Sequence, residues 1–302
     1  MNRILSLFDC PLRDVKRLLP EISRQGFNIV QVSPLQRVKV EGNNEWWLLY
    51  QPLGFEIGNR IGTKEELRDL CNEARKYNIT IVVDAVINHV ANKNEWDYLE
   101  PHPDVDRDLL YNDGCFKPKI QIKDWGDRNQ VINCCMGLPG LNPNSQIVQD
   151  KVVAMLNEYI SLGVGGFRFD AAKSIALPEE GCNFFPNFTS RLSQVIPIVY
   201  GEVLFADKDL IAKYARYMKV LTNYDAYDRE TIIRFIENKD SFLSKDLGYT
   251  SKWPKERITR EYRDLCGEYP NTMYYARNYT DDWHEWQSKG VEEANKKLVL
   301  KR

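Results

Sequence analysis

Short apolar runs alternate along the chain with longer stretches in which apolar residues recur every three or four positions. Residues 4–8, 29–33 and 79–86 are runs of the first kind, and period and length make them strands. Residues 11–25 are of the second kind: Val15, Leu18, Leu19 and Ile22 share one helical face, and Gly26 can end the helix. Residues 63–77 form another helix, opened by Thr63 with Glu66 three residues on, the pattern of a capping box. A long helix at 146–162 leads into a strand at 166–169, and runs at 196–203, 219–224 and 272–276 bring the strands to seven. Strands apolar on both faces and separated by helices belong to a parallel sheet. Seven or eight such units favour a closed α/β barrel over an open doubly wound sheet.

The alternation stops between about Val90 and Pro143, a stretch rich in Asn, Asp, Gly and Pro. It is too long for a plain loop in a compact domain. The expected architecture is therefore a (β/α)8 TIM-type barrel made of 1–89 and 144–302, with 90–143 as a small irregular subdomain inserted after strand three. The eighth unit looks incomplete. After 272–276 only a meagre run at 298–300 offers a strand, which would leave sheet edges to be covered by a partner, a second copy or further sequence.

Composition narrows the function. The 302 residues carry a formal charge of −2, without the basic excess that nucleic acid or an anionic membrane asks for. No apolar run approaches the ~20 residues of a membrane span. The first residues lack the apolar stretch of a signal peptide, which favours a cytoplasmic location, with a processed or partial chain as the alternative. Nothing resembling a nucleotide-binding glycine loop follows the first strand. Three histidines (His89, His102 and His284) and seven cysteines without CxxC spacing give no zinc pattern. Aromatic residues make up 12% of the chain, which suits either a core or a cleft that stacks on sugar faces.

In such barrels the reacting groups sit at the C-terminal strand ends. Three ends carry charge: Asp84 to Asn88 and His89, Arg168 to Asp170 and Lys173, and Gly201-Glu202. Each alone could be an ordinary polar strand end, and Arg168 beside Asp170 could be a structural ion pair. Together they place several carboxylates and an arginine in one cleft, which is costly unless the chemistry uses them. Two carboxylates are what glycoside hydrolysis needs, one to attack the anomeric carbon and one to protonate the leaving oxygen. Arg168 would keep Asp170 ionised as the nucleophile, and Glu202 would need a raised pKa to serve as the acid.

In order and spacing these clusters resemble the motif regions of α-amylases of glycoside hydrolase family 13, the animal-type branch above all. The likeness includes Gln31-Val-Ser-Pro34, Trp46-Trp47-Leu-Leu-Tyr50-Gln51, Asp84-Ala-Val-Ile-Asn88-His89, Asn112-Asp-Gly-Cys115 and Gly166-Phe-Arg168-Phe-Asp170-Ala-Ala-Lys173. The resemblance implies a retaining hydrolase of α-1,4-glucans. It makes Asp170 the nucleophile, Glu202 the acid/base and Arg168 the residue that orients Asp170. Asp84 and His89 would bind the sugar at the cleavage subsite, and Trp46, Trp47, Tyr50 and Gln51 would line the donor side, with core packing as the other reading of the Trp pair. Lys173 would touch the acceptor side.

The sequence departs from the family in several places. Tyr279 and Thr280 stand where the family ends strand seven with His-Asp, leaving Asn278 and the late Asp281 as the polar groups of that end. Ser174 replaces a histidine. Asn88 matches a calcium ligand, but Gly140 stands in place of the matching aspartate, so calcium is expected to bind poorly unless Asp127 compensates. A family chloride site would fall on Arg168 and Asn278, with its third ligand beyond the last residue, so chloride is unsupported. Cys115 and Cys134 match a disulfide pair of the family, whereas a reducing cytosol would leave all the cysteines as thiols. These departures keep a second reading open: a weak or inactive homologue that binds oligosaccharide.

Overall fold

The structure is a computed structural model, which describes residues 3–24, 26–40, 45–204, 206–221, 243–244, 246–247 and 274–277. In chain order the first half runs β1 (Arg3–Leu7), α1 (Leu12–Arg24), β2 (Ile29–Val32), β3 (Gln36–Val38), β4 (Pro52–Ile57), α2 (Lys64–Lys76) and β5 (Thr80–Ala85). Two short helices follow, α3 (Arg107–Leu110) and α4 (Arg128–Asn133), and then α5 (Gln146–Ser161) and β6 (Gly166–Phe169). The second half holds α6 (Phe184–Arg191), β7 (Ile198–Glu202), α7 (Lys208–Tyr214), β8 (Lys219–Leu221), β9 (Leu243–Ser244), β10 (Asp246–Leu247) and β11 (Tyr274–Arg277). None of the helices among the described residues is long and apolar enough to cross a membrane.

The main sheet is parallel, in the order β10-β11-β1-β2-β5-β6-β7-β8-β9. Its two end strands are pieces of one short segment. Residues 243–244 pair with β8, and residues 246–247 pair with β11. With that segment counted once, eight strands close the ring of a (β/α)8 barrel. Among the described strands the two ends of the sheet are thus both paired with this segment, in contrast to the open edge expected, and β11, expected as strand seven, lies beside β1 in the eighth place. The strand that was missed has too few apolar residues to show a pattern, and residues 298–300 lie outside the described residues.

Strand periodicity decides what faces inward. Ile4, Ile29, Val82, Ile198, Tyr200 and Leu221 form a small separate core inside the ring. Their neighbours Leu5, Val30, Val83 and Phe167 belong to the large core between strands and helices. Inside the ring the strands come close: a Cβ on Gly166 would stand 2.5 Å from the Ile198 carbonyl oxygen, so a larger residue does not fit there. Two positions beyond the inner layer, toward the C-terminal ends, the same faces present Gln31, Asp84, Arg168 and Glu202.

The capping box on α2 is present: Thr63 accepts the Glu66 amide, and Glu66 accepts the Thr63 amide. Thr63→Ala should therefore cost about 1 kcal/mol, read as a lower denaturation midpoint with unchanged slope. An unchanged midpoint would show the cap to be idle. The antiparallel pair β3-β4, which no simple pattern announced, carries the Trp46–Tyr50 turn between its strands.

Candidate active site

Arg168 is the hub of the strand ends. Its Nη1 donates to Asp84 Oδ1 at 2.8 Å and to Asp170 Oδ1 at 2.7 Å. Its Nη2 meets Glu202 Oε1 at 2.6 Å. The pairing explains the convergence, since Asp84 and Arg168 are register partners on β5 and β6, and Glu202 ends the next strand. Asp170 follows β6 directly, with its amide bonded to the Ala85 carbonyl at 3.0 Å. The chain then turns through Ala171 at φ 48°, a left-handed conformation that is costly without glycine. That turn aims the Ala171 amide at Glu202 Oε2, 3.1 Å away.

The three carboxylates differ in exposure. Asp84 is 1% exposed and Asp170 8%, whereas the Glu202 side chain is 23% exposed. Asp84 thus forms the floor and Glu202 the rim. Burial pushes the Asp84 carboxyl up to about 7, and the charge of Asp170 adds to this, against Arg168 and the hydroxyl of Tyr50. Three carboxylates around one guanidinium carry two negative charges in excess when all are ionised. The buried Asp84 carboxyl therefore holds its proton more tightly than an ordinary aspartate does. Arg168 Nε is buried and has no partner among the described residues.

Tyr50 donates to Asp84 Oδ2 at 2.9 Å and stacks on Phe8, with Trp46 against its edge. Trp47 is the exposed member of the Trp pair, at 43%. Gln51 Oε1 is buried with no hydrogen-bond partner among the described residues, an acceptor that a ligand could satisfy. His89 Nε2 lies 3.0 Å from the Tyr50 carbonyl, which requires that nitrogen to carry the proton. Burial lowers the His89 pKa, so the ring is neutral and holds the Tyr50 backbone in place. The Lys173 pKa is lowered by burial and by Arg128. Asn278 and Asp281 lie outside the described residues.

Two cations that the sequence reading passed over meet these loops. Arg128, at the start of α4, bonds Glu180 at 2.6 Å and Tyr214 Oη at 2.8 Å, and also the Lys173 carbonyl. Lys117 Nζ donates to Asn88 Oδ1 at 3.2 Å and to the Ser174 carbonyl at 2.7 Å. Burial lowers the Lys117 pKa to about 8. Asp127 does not join Asn88. Its oxygens cap α4 through the Asn129 and Gln130 amides. Cys115 and Cys134 are free thiols, the second of the two readings, and Cys115 Sγ lies 3.5 Å from Ser145 Oγ.

The model of the alpha-amylase catalytic domain matches residues 26–232, more than half of the chain. An alpha-amylase of Clostridium acetobutylicum is 38% identical over 240 residues, which cover 74% of this chain and 30% of that protein. The chain spans 30–40% of the length of the curated relatives it matches. Among solved structures, an alpha-amylase of Malbranchea cinnamomea superposes with a TM-score of 0.74 at 17% identity, covering 97% of this chain and 73% of that one. The Eisenia fetida alpha-amylase I in complex with maltohexaose gives 0.69 at 19% identity, covering 91% and 66%. These structural likenesses establish the shared fold.

Proposed function

The chain belongs to the alpha-amylase family, and from that membership we propose that it is a retaining glycoside hydrolase acting on α-1,4-glucans. The observation that carries the reading is the single guanidinium of Arg168 holding Asp170 and Glu202 at the ends of adjacent strands. Asp170, paired with Arg168, attacks the anomeric carbon. Glu202, on the rim, gives its proton to the departing glycosidic oxygen. A covalent glycosyl-enzyme forms, and Glu202 then takes a proton from the water that cleaves it. The retaining course requires the carboxyl groups of Asp170 and Glu202 to stand about 5–5.5 Å apart. An oligosaccharide substrate is supported by the maltohexaose bound to the Eisenia fetida relative.

The surrounding groups take supporting parts. Tyr50, Trp47 and the unsatisfied Gln51 carbonyl offer stacking and hydrogen bonding to a donor-side sugar. Asp84 and His89 act from beneath. Lys173 sits on the acceptor side, and Asn278 and Asp281 keep their donor-side assignment through the family resemblance. Release of reducing ends from soluble starch tests the reaction, with retention of the α-anomer in the first product read by NMR. Release of the β-anomer would overturn the retaining course.

The raised Asp84 carboxyl sets a pH dependence. Asp84 gives up its proton as pH rises through about 7, which adds a negative charge beside Asp170. Above that point kcat/KM on a maltooligosaccharide should fall. A profile flat into the alkaline range would show that ionisation of Asp84 does not affect turnover.

A further inference from the structure

In the family resemblance Asn88 belongs to a calcium site, and the residues present do not fit that ion. Calcium takes six to eight oxygen ligands at about 2.3–2.6 Å, with carboxylate charge among them. No group of three His, Cys, Asp or Glu among the described residues could hold a metal. The oxygen of Asn88 instead accepts from an ammonium, Lys117 Nζ, at 3.2 Å. A divalent cation on that oxygen would lie against a like charge.

Gly140 is what admits the lysine. A Cβ there would stand 2.9 Å from Lys117 Cδ and 3.4 Å from Cγ. The lysine stem thus fills the room that a side chain at 140 would take. Two backbone links fix the arrangement: the Lys117 amide bonds the Gly140 carbonyl at 2.8 Å, and the Leu141 amide bonds the Asn88 carbonyl at 2.8 Å. Lys117 is 6% exposed, so its charge has only protein to answer it. Its acceptors stand next to site residues, Asn88 before His89 and Ser174 after Lys173.

We infer that the Lys117 ammonium replaces the calcium ion, joining the inserted segment to the loops after β5 and β6 without metal. A lysine reaching from the insert to two barrel loops links the same parts that a shared metal would. Arg128 makes a parallel link from α4 to the Lys173 carbonyl and Glu180. Together these two cations hold the insert over the β6 loop.

The test is melting and calcium titration of the purified chain, independent of turnover. Wild type should show the same Tm in EDTA and in millimolar calcium, with no calcium-binding heat. Lys117→Met keeps the length of the stem and removes the charge. It should melt roughly 5–10 °C lower, with or without calcium. Asn88→Asp should remain insensitive to calcium, because Lys117 pairs with the new carboxylate; this arm holds even if Lys117→Met does not fold. A wild-type Tm that falls on chelation, stoichiometric calcium binding, a calcium-stabilised Asn88→Asp, or a Lys117→Met that melts like wild type would each overturn the inference.

Discussion

Asp170→Asn should lower starch hydrolysis by at least about 10⁴-fold and leave the fold and oligosaccharide binding in place. The amide is isosteric with the carboxylate but cannot attack the anomeric carbon. Its oxygen can still accept from Arg168 Nη1, which now binds Asp170 Oδ1 at 2.7 Å. The Asp170 amide keeps its bond to the Ala85 carbonyl, so the turn through Ala171 has no reason to move. Circular dichroism and melting should therefore match wild type, and retention on an immobilised maltooligosaccharide should persist. Turnover in the variant near the wild-type rate would sink the nucleophile assignment. Wild-type binding without any product would favour the oligosaccharide-binding reading over the hydrolase.

Much of this site was legible in the sequence because strand ends have a simple code. An apolar run that ends in Asp84, Arg168 or Glu202 fixes its own inward face by alternation, and parallel pairing then brings the ends together. The Thr63 capping box was legible for a similar reason, since both halves of the interaction lie within four residues. What stayed hidden depends on contacts between distant segments. The short strands at 243–244 and 246–247 come from the sequence Leu-Ser-Lys-Asp-Leu, which shows no period. Lys117 lies in an irregular stretch, where a lone lysine reads as a solvated side chain. Its one signal was the absence of a carboxylate at Gly140, which leaves Asn88 without an anionic co-ligand and leaves space for a long side chain. Gln31 shows the same limit. It accepts from Tyr200 Oη on β7 across the barrel, a pair separated by 169 positions.

Arg168→Met should be the most destabilising change in the site, with a deficit that depends on pH. The guanidinium is 7% exposed and answers Asp84, Asp170 and Glu202 together. Methionine fills much of the space and strands three carboxylates at the mouth of the barrel. Removing one partner from a buried ionic group costs about 3–5 kcal/mol, or about 10 °C in Tm at 2–4 °C per kcal/mol. Asp84 already binds its proton more tightly in the folded protein than in the unfolded chain, at about 7 against an ordinary 3.8, and loss of the Arg168 charge strengthens this. The folded state then holds more protons than the unfolded state, and stability falls as pH rises through that window. The Tm gap between wild type and Arg168→Met should therefore be widest at alkaline pH and close toward about pH 5, where protonation neutralises the cluster. Arg168→Lys supplies one charge without the two-nitrogen fork, so it should recover part of the loss and leave Glu202 or Asp170 unanswered. A gap independent of pH would assign the effect to packing alone and remove the electrostatic account of the hub.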